Sequence, residues 1–131
     1  MTMKELVRAA ITGEMEDISS CEADAEAFAG RPEVAAFLNK LAAEKRERLS
    51  ELRTVLREGT GFRQRKNEIS KSVEAALRAR ATRAERAATV YSALQKVFNK
   101  PEYKEALRAL SARELVILAE IRKLQANLKK D

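Results

Sequence analysis

The chain has 131 residues, of which 35% are charged and 5% aromatic, and it contains one Cys and no His. Without imidazole, Ser-His and Cys-His nucleophiles, zinc sites with His ligands and the Glu-x-x-His iron motif are excluded. Abundant Ala, Leu, Glu, Arg and Lys, with only four Gly and two Pro, favour long helices. No apolar run reaches the roughly 20 residues of a membrane helix, and the N-terminus has no apolar signal segment. We therefore expect a cytoplasmic chain with no membrane partner.

The net charge of +6 is unevenly distributed along the chain. Residues 1–62 carry 9 Lys or Arg and 12 Asp or Glu, whereas residues 63–131 carry 17 and 8. Residues 14–26 hold six acids and no base, and residues 63–86 hold eight bases and three acids. We expect these blocks to pair within the fold or across a dimer. Nucleic-acid binding through residues 63–86 is less favoured, because such a surface usually lacks a matching acidic block and carries aromatic side chains.

Turn residues divide the sequence into four helical segments. The capping-box pattern Thr2-Met3-Lys4-Glu5 predicts the start of the first helix, and Gly30 is predicted as the left-handed residue after its end. Pro32 and Pro101 each predict the first turn of a later helix, and Gly59-Thr60-Gly61 predicts a break. The predicted helices cover about residues 2–30, 32–58, 70–98 and 101–128.

The second half of the sequence resembles the first half at an offset of 69 residues. Between residues 16–55 and 85–124, nine pairs are identical, including Pro32 with Pro101 and Leu38 with Leu107. Matching turns together with matching leucine spacing indicate a duplicated helical hairpin.

The linker between the two hairpins predicts their connection. The segment Gly59–Ile69 can span about 36 Å when extended, which is close to the length of one helix. We therefore predict an all-α, ferritin-like four-helix bundle, in which hairpins over about 2–58 and 70–128 are joined by a long crossover over about 59–69. Residues 1–131 would form a single domain. The alternative is that Phe62–Ile69 extends the third helix in a simple up-down bundle.

Apolar residues at 3-4 spacing predict the inward face of each helix, and charged residues interrupt that face near each midpoint. Glu14 interrupts it in the first helix, and Lys45 and Arg48 interrupt it in the second. The offset of 69 places Arg83, or Ala84 if the alignment is one residue out, at this level of the third helix, and Glu114 at this level of the fourth.

The turns and the first inward Glu carry a family resemblance. Gly13-Glu14, the second-helix entry Pro32-Glu33-Val34 with Phe37-Leu38 and Leu41-Ala42, and the fourth-helix entry Pro101-Glu102-Tyr103 resemble the rubrerythrin-like branch of the ferritin-like superfamily over essentially the full length. The resemblance implies two metal ions, held by one Glu from each of the first and third helices and by Glu-x-x-His from the second and fourth. Position by position, Glu14 and Glu114 are retained, and the other four positions hold Lys45, Arg48, Arg83 and Ile117.

The replaced positions argue against a metal centre, because ammonium and guanidinium groups offer no lone pair and repel a cation. We predict an internal ion-pair network instead, formed by Glu14, Lys45, Arg48, Arg83 and Glu114. The alternative is a register one residue out, which turns Glu44 and Glu47 inward. Those two carboxylates, with Glu14 and Glu114, would then form a shifted site for iron or manganese.

The sequence therefore predicts no catalytic or cofactor-binding residue, and we expect the lone thiol, Cys21, to be part of the core. The favoured function is a non-catalytic structural or protein-interaction module, for which the resemblance implies a homodimer formed through the first two helices. A metal-dependent protein that oxidises or stores iron or reduces peroxide is the first alternative. Nucleic-acid binding is the second.

Overall fold

The computed structural model of the protein describes residues 2–57, 62–65 and 68–130. Four helices account for most of them: α1 (Met3–Ala27), α2 (Pro32–Leu56), α3 (Val73–Val97) and α4 (Pro101–Lys130). The described residues include no β-strand, so the predicted all-α class with four helices is confirmed. None of these helices has an apolar stretch long enough to cross a lipid bilayer.

The helix starts follow the local sequence. The Glu5 backbone N–H donates to Thr2 Oγ1 at 3.1 Å, which is the first hydrogen bond of the predicted capping box. The Glu5 carboxylate turns back to Thr2 and accepts from its hydroxyl at 3.2 Å. Pro32 and Pro101 begin α2 and α4, where a missing N–H costs nothing.

The left-handed residue occurs at a different helix end from the predicted one. Gly30 does not have a positive φ; the chain instead leaves α1 through a tight turn in which Arg31 N–H donates to the Phe28 carbonyl at 2.9 Å. The prediction for Gly30 is therefore wrong. Arg57, at the end of α2, has φ 54° and ψ 37°, and its N–H donates to the Arg53 carbonyl at 3.1 Å. The following Gly59-Thr60-Gly61 lies outside the described residues.

The chain divides into two compact units, which we call the α1–α2 unit (Ile11–Ala76) and the α3–α4 unit (Met1–Ala10 with Leu77–Asp131). In the α1–α2 unit the two helices run antiparallel, because Lys45 contacts Asp17, whereas Arg48, which is later in α2, contacts Glu14, which is earlier in α1. An apolar cluster of Met15, Ile18 and Leu49 packs with Ile11 and Phe62 between them.

The segment after α2 runs along α1 in the same direction as α1. Phe62 packs near Met15 and Ile18, Arg65 N–H donates to Ser19 Oγ at 2.9 Å, and Ser70 N–H donates to Asp24 Oδ1 at 3.0 Å. The described residues 62–65 and 68–72 are not helical, and α3 starts at Val73. The alternative in which Phe62–Ile69 extends the third helix is therefore wrong. The other residues of the predicted crossover, 59–61 and 66–67, lie outside the described residues.

The α3–α4 unit is a second antiparallel hairpin. Lys104 Nζ donates to the Gln95 carbonyl at 2.8 Å, and Ser111 Oγ donates to the Ala88 carbonyl at 2.9 Å. The Phe98 and Tyr103 rings meet edge to face at the turn, with centroids 6.4 Å apart.

The inward face of α3 differs by one residue from its prediction. The offset of 69 works between α2 and α4, where Leu107, Glu114 and Ile117 are all buried. In α3, Ala84 is buried and Arg83 is half-buried, so the face follows α1 at an offset of 70. Residues 28–31 separate α1 from α2, whereas residues 98–100 separate α3 from α4. The second turn is thus one residue shorter, and this single deletion accounts for the changed offset.

Candidate functional site: a buried ion-pair cluster

The lysine at the middle of α2 is enclosed with two carboxylates of α1. Lys45 Nζ lies 2.8 Å from Asp17 Oδ2 and 3.4 Å from Glu14 Oε1. Lys45 is 1% exposed, Glu14 2% and Asp17 5%. This ammonium group therefore bridges two carboxylates in a region that bulk water does not reach.

A guanidinium group completes the cluster from the next turn of α2. Arg48 Nη1 lies 3.1 Å from the same Glu14 Oε1, and Arg48 Nη2 lies 3.2 Å from Glu44 Oε2. Arg48 is buried, whereas the Glu44 side chain is 30% exposed. Glu14 Oε1 thus accepts from a lysine and an arginine together. We call the five residues Glu14, Asp17, Glu44, Lys45 and Arg48 the ion-pair cluster.

Helical spacing brings these groups together. Glu14 and Asp17 are three residues apart on α1, and Lys45 and Arg48 are three residues apart on α2, so each pair shares one face of its helix. Because the two helices are antiparallel, the acidic pair lies opposite the basic pair. Lys and Arg also have long aliphatic stems, which pack against apolar neighbours while the charged ends reach the carboxylates.

Burial makes the pairing obligatory. An isolated charge in a protein interior carries a penalty of several kcal/mol, which only close, hydrogen-bonded partners offset. Each of the four buried members of the ion-pair cluster has such a partner within 3.4 Å. Loss of one charge therefore removes an ion-pair partner from a group that stays buried.

The ion-pair cluster does not match the donors that a carboxylate-bridged pair of metal ions requires. Such a site needs several anionic or imidazole donors that converge on the ion. Here Glu14 Oε1 already accepts from two cationic groups, neither of which can donate a lone pair. Across residues 2–57, 62–65 and 68–130, no three His, Cys, Asp or Glu residues are grouped as metal ligands would be.

Three of the five predicted network residues lie together in the α1–α2 unit. Glu14, Lys45 and Arg48 are in direct contact. Arg83 is half-buried on α3, with Ala84 at the buried position beside it. Glu114 is fully buried and belongs to the α3–α4 unit.

The alternative register for α2 is wrong. It required Lys45 and Arg48 to lie at the rim, yet they are 1% and 3% exposed. Glu47 is exposed, and Glu44 contacts Arg48 from a half-exposed position. The shifted carboxylate pair is therefore not formed.

Sequence reasoning missed Asp17, although it makes the shortest contact of the ion-pair cluster. Its spacing of three residues from Glu14 was the available signal, because that spacing puts both acids on the same helical face. The predicted inward residues of the first helix did not include Asp17. Cys21 is fully buried, in agreement with a core position.

A surface ion pair lies one residue from the buried lysine. Arg46 donates through Nε and Nη2 to the two oxygens of Glu22, at 3.0 and 2.9 Å. These hydrogen bonds raise the pKa of Arg46 above its ordinary value. The Arg46 guanidinium also lies 4.1 Å from the centre of the Phe62 ring. This exposed pair shares the chemistry of the ion-pair cluster without its burial.

The basic segment 63–86 does not form a continuous charged surface over its described residues. Arg63, Arg78 and Arg86 are exposed, whereas Arg80 is 4% exposed and Arg65 is half-buried beside Met15 Sδ. The charge count in this segment therefore overstates the number of bases that could reach a phosphate.

Comparisons of the sequence with protein-family models, with curated proteins and with solved structures found no match. The resemblance to rubrerythrin-like proteins thus rests on the residues and turns of this chain alone.

Proposed function

We propose that this chain is a non-catalytic ferritin-like bundle of the rubrerythrin-like branch and that it works as a structural or protein-interaction module. In this proposal the ion-pair cluster occupies the position of the metal site. The observation that carries this proposal is the position of Lys45 Nζ, within 3.4 Å of both Glu14 and Asp17. A cation built into the chain neutralises the carboxylates that would otherwise attract a metal ion.

The chemistry of the replaced positions supports a loss of catalysis. Redox or Lewis-acid chemistry at such a site needs an ion that exchanges ligands with substrate. A lysine and an arginine offer fixed charge and hydrogen bonds, which stabilise a structure but do not exchange ligands. A role in association remains for the outer helix faces, and we include a homodimer in the proposal.

Calorimetric titration with Fe(II), under anaerobic conditions, and with Mn(II) tests the proposal. We expect the wild-type chain to show no stoichiometric binding of either ion. Binding of one or two equivalents with micromolar or tighter affinity would overturn the non-catalytic assignment.

A double variant serves as the positive control for metal binding. Lys45→Glu with Arg48→His rebuilds a Glu-x-x-His pattern on α2 beside Glu14. We expect Mn(II) to raise the Tm of this variant and to leave the Tm of the wild-type chain unchanged, because a ligand that binds the folded state stabilises it. A folded variant whose Tm does not respond to Mn(II) would count against a former metal site at this position.

A further inference from the structure

An open groove lies along α3, between it and α4. Its volume is about 870 Å³, and residues of the α3–α4 unit form all of its lining. Thr89, Ser92 and Ala93 are among the residues that line it along α3, and we call these three residues its floor. Leu115, which is 55% exposed, lines it from α4. Small side chains on the floor let a second helix approach closely, and exposed apolar surface beside it gains from being covered.

The two charged residues of the groove lie at opposite ends of this floor. Glu85 and Lys96 both line it, and they are three helical turns apart, about 16 Å along α3. Three turns place them on the same side of the helix. The groove therefore carries a negative end toward the start of α3 and a positive end toward its C-terminus.

We propose that this groove receives α3 of a second copy of the chain, in an antiparallel arrangement with the two-fold axis beside the midpoint between residues 90 and 91. This inference rests on the proposed association function and places the surface of association on α3, in place of the first two helices that the resemblance implies. Residues 85 and 96 are equally distant from that midpoint, as are residues 89 and 92. In an antiparallel pair, Glu85 of each copy thus faces Lys96 of the other, and Thr89 faces Ser92.

The symmetry of the charges identifies a second copy as the occupant. A two-fold interface must be self-complementary, so each charged group needs its opposite at the symmetry-related position. The groove meets this requirement with a single pair of residues, repeated twice across the interface. A parallel pair would instead set Glu85 against Glu85 and Lys96 against Lys96, and like charges that face each other destabilise an interface.

The existing contact of Glu85 does not block this arrangement. Glu85 Oε1 accepts from Arg122 Nη2 at 3.2 Å, with side chains that are 57% and 59% exposed. Such exposed pairs contribute little, so Glu85 can bind the lysine of a second copy while Arg122 returns to water. Arg122 then remains at the rim of the interface.

Sedimentation equilibrium and light scattering over a range of chain concentrations test the surface. We expect a wild-type dimer, and we expect Glu85→Lys and Lys96→Glu each to weaken dimerisation about 10- to 30-fold, because two attractive pairs become repulsive. The double variant with both substitutions restores opposite charges at each position, so its dimerisation constant should return to within about threefold of wild type. The Ala93→Arg substitution, which fills the floor, should also weaken the dimer.

Charge reversals elsewhere provide matched controls. Glu51→Lys on α2 and Lys123→Glu on α4 change the net charge equally at exposed positions outside the groove, and they should leave dimerisation unchanged. A double variant as weak as the single variants, or a monomeric wild-type chain, would overturn the proposal. A dimer insensitive to all groove substitutions would also overturn this surface while leaving the proposed association function intact. Tight binding of Fe(II) or Mn(II) would overturn the proposed non-catalytic function and leave the groove surface intact.

Discussion

Removal of the buried ammonium group at position 45 should strongly destabilise the fold. In Lys45→Met, a side chain of similar length and volume replaces the lysine, so packing along α2 changes little. What changes is the charge between Glu14 and Asp17, whose oxygens lie 3.4 and 2.8 Å from Lys45 Nζ. Both carboxylates remain buried, and Asp17 loses its 2.8 Å ion-pair partner.

The expected loss follows from the burial of this group. Removal of one partner from a buried ion pair typically costs about 3–5 kcal/mol. Glu14 keeps its contact with Arg48, at 3.1 Å, so we expect a value near the lower limit, about 3 kcal/mol. Total stabilities are about 5–15 kcal/mol, so this variant should unfold at a much lower urea concentration than the wild-type chain.

Urea unfolding followed by circular dichroism measures this effect, and Arg46→Met is the matched control. Arg46 is the neighbouring base on α2, but its pair with Glu22 is exposed, so its loss should cost about 1 kcal/mol or less. Asp17→Asn added to Lys45→Met removes one of the two buried negative charges that faced the lysine and should recover about 1–2 kcal/mol. Equal losses in Lys45→Met and Arg46→Met, with no recovery in the double variant, would refute the reasoning.

Three further outcomes are expected. Asp24→Ala removes the acceptor of the Ser70 N–H and hydroxyl groups, so it should lower the free energy of unfolding by about 2–3 kcal/mol. Proteolytic cleavage between α2 and α3 should become faster, and an unchanged cleavage rate would contradict this prediction. Arg57→Gly removes the steric cost of a side chain at φ 54° and should raise the free energy of unfolding by about 0.5–1 kcal/mol in urea titrations. A lower free energy of unfolding would argue against that backbone conformation. Hydrogen bonding to Arg108 lowers the pKa of the Glu105 carboxyl below its ordinary value of 4.5, so the stabilisation from this pair is present above pH 4.5 and is lost as pH falls through the folded-state pKa. An NMR titration should show that Arg108→Gln returns the pKa of Glu105 toward 4.5, and an unchanged pKa would rule the pair out.

The helices were predictable because their signals are local. Thr2 with Glu5, Pro32 and Pro101 mark three helix starts that the structure confirms. The left-handed residue was not predictable in this way, because Arg57 adopts at the end of α2 a conformation that the sequence pattern assigned to glycine. The context of the helix end outweighs the intrinsic preference of the side chain there.

Burial of the charged residues of the candidate site was predictable where the apolar spacing within a single helix determines which side chains face inward. Lys45 and Arg48 follow the 3-4 spacing of the apolar residues within the single helix α2, and both are buried as that spacing indicates. Arg83 was placed by transfer from α1 across two turns of unequal length, so a one-residue error entered and moved the buried position to Ala84. Transfer by repeat is therefore reliable only within a segment that contains no insertion or deletion.

The order in which the chain assembles follows from the segment that runs along α1. Ser19 with Arg65 and Asp24 with Ser70 are each 46 residues apart, whereas Arg46 and Glu22 are 24 apart. Closure of a longer loop costs more chain entropy, and its contacts form only after nearer ones have restricted the chain. The α1–α2 hairpin should therefore form first, and the segment should dock onto it later. Because Ser70 lies three residues before the start of α3, this late step also fixes where the second half of the chain begins to fold.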